Sequence, residues 1–120
     1  MTALQQYQTW LDYPQLEESL KNELLAIKGN EEEIAERFST SMEFGTGGIR
    51  GILRAGTNGM NVYTVCQATQ GLANLIVKNG TDAMKKGVAI GYDSRHFSDT
   101  FAKESAMVLA ANGIKVYIFP

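Results

Sequence analysis

One cysteine, Cys66, is all that the 120-residue chain contains. An intrachain disulfide is therefore impossible, and this cysteine usage fits a reducing, cytoplasmic setting. No apolar run is long enough to span a bilayer. The start, MTALQQYQTW, lacks the basic opening and the apolar stretch of a signal peptide. The formal net charge is only -2, which gives no bulk attraction to nucleic acid or to an anionic membrane. Any anion chemistry must come from a few placed cations. Internal repeats and low-complexity linkers are absent, and the longest charge run is Glu31-Glu32-Glu33.

The rest of the composition, 44% hydrophobic and 20% charged, is that of a globular domain, one domain or a piece of a larger protein. The first forty residues read as helical. Leu4, Tyr7, Trp10 and Leu11 fall at helical spacing, Pro14 interrupts, and Leu16, Leu20 and Leu24 resume it. Gly29-Asn30 is a stop signal. Asn30 is a candidate N-cap, with Glu33 three residues on as in a capping box. The glutamate run then occupies a helix N-terminus, where negative charge is favoured, and Ile34 and Phe38 supply the apolar side.

Residues 44–61, FGTGGIRGILRAGTNGMN, carry six glycines and no helical period. Runs near Ile49–Leu53 and Met60–Tyr63 suggest two brief strands joined through the turn signal Asn58-Gly59, hence a loop followed by a loose hairpin. A helix then runs through Val62, Val65, Cys66, Thr69, Leu72, Ala73 and Ile76. Asn61 suits its start and Gly80 its end, and Cys66 sits on its buried stripe as a small core residue. GVAIGYD reads as a buried strand, and DSRHFS as a polar loop. A helix through Phe101, Ser105, Val108, Leu109 and Asn112 follows, closed by Gly113, and IKVYIF is a last strand. Strand, helix, strand makes a βαβ unit with a parallel pair and a right-handed crossover. The chain stops at Pro120, just past a strand, where the next ligand-binding loop of an α/β sheet is expected. One face of that sheet is left uncovered by this sequence, so the chain reads as truncated.

Two stretches could carry chemistry. GTGGIRG nearly fits the dinucleotide fingerprint G-x-G-x-x-G, but Arg50 stands where the third glycine belongs, and a helix rather than a strand precedes it. The Gly-Lys-Ser/Thr ending of a Walker loop is absent. The parts of an anion site remain. Gly45, Gly47 and Gly48 can bare backbone N–H groups, Thr46 adds a hydroxyl, and Arg50 offers a planar fork that matches phosphate. A glycine turn with a solvent-facing arginine explains the same residues. In the second stretch, GYDSRHFS, Asp93 and Arg95 suit an ion pair that fixes the loop. Ser94 and His96 suggest a nucleophile and base, although sequence neighbours at a strand end rarely meet. A local hydrogen-bonding or cleft-lining role is the alternative for His96. Ser98 is a candidate N-cap, with Asp99 in the first turn. The described motifs contain no metal-ligand spacing.

Taken in order, FGTGGIRG, a hairpin, a helix, GVAIGYDSRHFS, a helix and a strand resemble the start of an α-D-phosphohexomutase, in particular its bacterial phosphoglucomutase branch. The helical lead YQTWLDYPQLEESLKNEL and the segment AGTNGMNVYTVCQATQGLANLI extend the resemblance over essentially the whole chain. It implies a three-layer α/β/α fold around a mixed sheet, with residues 1–43 as a helical lead and 44–120 as an incomplete first domain. It implies a cytoplasmic four-domain enzyme that interconverts glucose 1-phosphate and glucose 6-phosphate. A phosphoserine gives its phosphoryl group to the sugar phosphate, glucose 1,6-bisphosphate turns over in the cleft, and Mg²⁺ neutralises charge. By the same resemblance Arg50 approaches the phosphoserine and the sugar bisphosphate, Thr46, Gly47 and Gly48 line the cleft, and Asp93 with Arg95 braces the active-site loop. The family's serine loop, of the type Thr-Ala-Ser-His-Asn-Pro, has no counterpart among these residues, and Ser39, Ser41, Ser94 and Ser98 sit in other contexts. The expectation is a domain fragment holding no catalytic nucleophile and no metal ligand, inactive alone. Its partners are a hexose phosphate and the remaining domains of the same protein, not nucleic acid or membrane. A phosphomannomutase or phosphopentomutase parent, a stand-alone phosphate- or nucleotide-binding module, and an interaction domain whose glycines only make turns are the alternatives.

Overall fold

A computed structural model describes residues 2–42, 44–45, 48–49 and 51–119. It divides into two compact units, Met1–Asn61 and Val62–Pro120.

The first unit opens with three helices, α1 (Ala3–Asp12), α2 (Glu18–Ala26) and α3 (Glu31–Phe38). Thr2 starts α1 with a reciprocal capping box: its hydroxyl accepts from the Gln5 N–H, and the Gln5 side chain accepts from the Thr2 N–H. Asn30 starts α3 as expected, Oδ1 accepting from the Glu33 N–H at 3.1 Å. Glu31, Glu32 and Glu33 fill the first turn, where the exposed N–H groups favour negative charge. The core is built from Tyr7, Leu20, Leu24, Ile34 and Phe38, all buried. The Tyr7 and Trp10 rings meet Phe38 edge-on, with centroids 5.9 and 5.6 Å away. The Tyr7 hydroxyl donates to the Leu24 carbonyl, joining α1 to the C-terminal half of α2.

The glycine-rich stretch differs from the sequence expectation. The hairpin lies earlier, between β1 (Phe44–Gly45) and β2 (Gly48–Ile49), which pair antiparallel with Phe44 opposite Ile49 and Gly45 opposite Gly48. Among the described residues of the expected strands, Ile49 belongs to β2, and the pairing between the two runs is limited to one isolated bridge, Leu53 to Met60. Residues 62–63 are already helical. The reason is that the backbone groups of 54–60 are used elsewhere. The Asn58 N–H donates to the Arg37 carbonyl, the Met42 N–H donates to the Thr57 carbonyl, and the buried Asn61 amide donates to the carbonyls of Arg54 and Gly56 at 2.9 and 3.0 Å.

The second unit holds α4 (Val62–Lys78), α5 (Thr81–Lys86), β3 (Val88–Gly91), α6 (Ser98–Ala111) and β4 (Val116–Phe119). β3 and β4 pair in parallel, Val88 with Val116 through Gly91 with Phe119. The strand–helix–strand order is thus the expected βαβ unit. The chain is of the expected α/β class, and among the described residues the antiparallel and parallel pairs form separate two-stranded sheets. Ala73, Leu109 and Ile114 form the buried centre, flanked by Ile76, Met84, Val88, Ile90 and Val116. Gly113 closes α6 at φ +79°, the Ile114 N–H reaching back to the Leu109 carbonyl.

Several local readings shift. Leu72, placed with Ala73 on the buried stripe of α4 by spacing, is 44% exposed, whereas Ala73 is buried as expected. Gly80 ends α4 as expected, but the chain turns at once into the six-residue α5, with Asp82 in its first turn and Lys85 and Lys86 in its last. The contact between α4 and α6 is partly polar. Gln70 and Asn112 exchange amide hydrogen bonds of 3.0 and 2.9 Å, and the Thr69 hydroxyl donates to Ser105 Oγ at 3.2 Å. None of the described helices is long and apolar enough to cross a membrane.

Candidate functional site

Glycine content decides the shape of the first candidate stretch. Gly48 sits at φ +112°, a conformation that residues with a Cβ rarely adopt, and among the described residues nothing lies within 4 Å of where a Cβ would stand. Its backbone is therefore bare on that side. Thr46, Gly47 and Arg50, which carry the donor and cation of the expected anion site, lie outside the described residues. The surroundings of the hairpin are described. A Cβ on Gly51, just past Arg50, would stand 2.5 Å from the Met42 sulfur, so the Met42 side chain lies against the backbone of Gly51. Further along, Gly56 at φ +114° lies against the Arg37 carbonyl, which a Cβ would meet at 2.7 Å.

Ion pairs hold this stretch to the helical lead. Arg37 donates through Nε to Glu33 at 2.9 Å and through Nη1 to Glu23 at 3.0 Å. The same Glu23 oxygen accepts the Ala55 N–H at 3.1 Å. Arg54 pairs with Glu36 at 3.1 Å and also donates to the Asn58 carbonyl. Both arginines are largely buried, at 13% and 11% side-chain exposure, so each charge is held by several acceptors.

The second candidate stretch follows β3 at its carboxyl end. The Asp93–Arg95 pair expected from sequence is present. Arg95 donates its backbone N–H to Asp93 Oδ1 at 3.0 Å and its Nε to Oδ2 at 2.8 Å. The backbone hydrogen bond, then the Arg95 side chain and its charge, hold the Asp93 carboxyl below the usual carboxylate range. The Arg95 side chain is 87% exposed, which leaves the rest of its fork in solvent. Ser98 corrects one reading. It is the first residue of α6 rather than its cap, and its Oγ accepts from the Asp93 N–H at 3.3 Å. The cap position falls to Phe97, a non-glycine residue in the left-handed region at φ 66°, a strained choice that no sequence signal announces. The structure does not bring Ser94 and His96 together: no hydrogen bond joins them among the described residues. The His96 ring lies against Phe97, centroids 3.9 Å apart.

Cys66 is partly buried, its sulfur 3.9 Å from Glu104 Oε2. Burial first, and then the Glu104 carboxylate, push the thiol up. A thiol held protonated in this way is a poor nucleophile. Among the described residues no group of three or more His, Cys, Asp or Glu side chains could hold a metal ion. The Mg²⁺ that the resemblance implies therefore finds no fit here.

Comparison with known proteins places this geometry. The family model described as phosphoglucomutase/phosphomannomutase, alpha/beta/alpha domain I, matches residues 41–120, from just before the hairpin to the end of the parallel pair. Phosphopentomutase from Mus musculus is 36% identical over 120 residues, covering 95% of this chain and 19% of the relative. Glucose 1,6-bisphosphate synthase from Homo sapiens is 34% identical, covering 98% and 20%. Phosphoglucomutase from Staphylococcus epidermidis is 36% identical, covering 91% and 19%. The chain thus spans about a fifth of the length of these relatives. No solved structure is a significant match. With its glycine hairpin and parallel βαβ unit both inside the matched span, the chain belongs to the α-D-phosphohexomutase family.

Proposed function

We propose that these residues serve as domain I of a longer phosphosugar mutase, a cytoplasmic enzyme that interconverts glucose 1-phosphate and glucose 6-phosphate through a phosphoserine and glucose 1,6-bisphosphate. The observation that carries the reading is the family match over residues 41–120, with FGTGGIRG near its start. In this reading the phosphoserine, which none of these 120 residues supplies, gives its phosphoryl group to the free hydroxyl of the sugar phosphate. The bisphosphate reorients, and its other phosphoryl group returns to the serine. The work of this chain is to hold charge in place. Arg50 would offer two parallel N–H donors to the phosphoryl oxygens, and the Thr46 hydroxyl and the glycine N–H groups of Gly47 and Gly48 would complete that wall. Asp93 orders Arg95 at the end of β3, bracing the neighbouring loop. Mg²⁺ would neutralise phosphoryl charge when bound, with ligands from other parts of the protein.

A second reading is favoured by the names of several relatives: the mouse and human ones among them are phosphopentomutases. The substrate would then be a pentose phosphate. The test is turnover by the full-length protein carrying these residues, with glucose 1-phosphate and ribose 1-phosphate compared in coupled assays. We expect higher kcat/KM on glucose 1-phosphate and none from the 120-residue chain alone. Preference for ribose 1-phosphate would move the assignment to the pentose reading. Inactivity on both sugars, or turnover by the isolated chain, would contradict the proposal.

A further inference from the structure

The hairpin has two feet, and both rest on one loop. The chain entering it is tied by the Met42 N–H to the Thr57 carbonyl and by the Thr57 hydroxyl to the Thr40 carbonyl at 2.8 Å. The chain leaving it is tied through Ile52 and Arg54, whose backbone groups exchange hydrogen bonds with Met60. Loop 54–60 is in turn fastened to α2 and α3. Glu23 takes the Ala55 N–H and the Arg37 guanidinium on one oxygen. The Arg37 carbonyl takes the Asn58 N–H, and the Glu36 carbonyl takes the Asn58 side-chain amide at 3.1 Å. Ala55 and Gly56 are buried at this joint, and the close approach of Gly56 to Arg37 leaves it no slack.

We propose that Glu23 and Arg37 are positioning residues for phosphoryl transfer: they latch loop 54–60 to the helical lead and so fix where the glycine hairpin, and the arginine that follows it, present their donors. This rests on the role given to Arg50 above. The helical lead is then part of the catalytic apparatus rather than an appendage, although neither residue touches substrate. A surface ion pair alone contributes little. Glu23 differs because it also satisfies a backbone N–H at the loop, so its loss releases both contacts together.

The experiment is a double-mutant cycle in the full-length protein, with glucose 1-phosphate as substrate and a thermal melt on each variant to establish folding. Glu23→Ala is expected to lower kcat roughly tenfold to a hundredfold, the scale of a misplacement of about 1 Å. Glu23→Gln retains an acceptor oxygen for Ala55 and is expected to restore most of that loss. Combined with Arg50→Ala, Glu23→Ala should add almost nothing, because residues that act through one group are non-additive. Should Glu23→Ala not fold, Glu23→Asp, one methylene too short to reach both partners, replaces it in the cycle with a several-fold loss expected. Losses that multiply in the double variant, or full turnover in a folded Glu23→Ala protein while Arg50→Ala is crippled, overturn the latch and leave the mutase reading standing. Full turnover in Arg50→Ala itself overturns the role of that arginine, and the latch with it.

Discussion

Two glycines in the first unit share a backbone conformation and differ in surroundings. Gly48 lies at φ +112° with open space beside it among the described residues, and Gly56 lies at φ +114° with the Arg37 carbonyl 2.7 Å and the Arg37 Cβ 2.9 Å from an added Cβ. Alanine at either position meets the same backbone strain, about 1–3 kcal/mol. Only at Gly56 must the protein also move a backbone carbonyl that accepts from the Asn58 N–H. Overpacking of this kind adds about 1–3 kcal/mol. Gly48→Ala is therefore expected to lose about 1–3 kcal/mol and Gly56→Ala about 2–6 kcal/mol, by the sum of the two terms. For a chain of this size each kcal/mol lowers Tm by roughly 4 °C. The assay is thermal and urea unfolding of the two variants beside the parent chain. Equal midpoints for Gly48→Ala and Gly56→Ala would refute the reasoning, because the difference between them isolates the contact with Arg37.

Further predictions concern buried polar groups. Asn61→Asp turns a donor toward the Arg54 and Gly56 carbonyls into an acceptor, and urea unfolding at pH 7 is expected to register a loss of about 1–3 kcal/mol. Its carboxyl would bind its proton more tightly folded than unfolded, so the deficit should shrink as pH falls from the raised folded pKa toward the unfolded carboxylate range and level off below it; a pH-independent deficit would contradict this. Cys66, raised first by burial and then by Glu104, should be alkylated by iodoacetamide more slowly at pH 8 than in the urea-unfolded chain. Its stabilising contribution is fully present below the unfolded thiol pKa and is lost as pH rises through the higher folded one. Alkylation as fast in the folded chain as in the unfolded one would refute the assignment.

Local pattern predicted the elements whose causes are local. Asn30 and Glu33 cap α3, Ile34 and Phe38 bury its face, and Gly113 closes α6, each within a few residues of its partner. The parallel pair was legible because β-branched runs flank a helix of suitable length. The hairpin was misplaced because Asn58-Gly59 is a strong local turn signal, whereas the groups around it are claimed by Arg37 and Glu36 more than twenty residues away. Leu72 and Ala73 were both placed on the stripe of α4, and only Ala73 is buried, because spacing marks a stripe only to within a residue. The left-handed Phe97 and the Glu23–Arg37–Ala55 joint leave no periodic trace, since they depend on contacts that the fold alone brings together. At the candidate site, the Asp93–Arg95 pair was readable from a two-residue spacing. The acceptance of the Asp93 N–H by Ser98 was not, because capping statistics place that hydroxyl elsewhere.

In the proposed function FGTGGIRG forms one wall of a phosphosugar cleft, and Arg50 acts from it on the transferring phosphoryl group. The most direct test is the kcat/KM of Arg50→Ala in the full-length protein, measured on glucose 1-phosphate beside the parent enzyme. The expected result is a loss of roughly a hundredfold to a thousandfold, the scale of removing one preorganised donor from developing charge, carried mainly by kcat. An unchanged kcat/KM would contradict it.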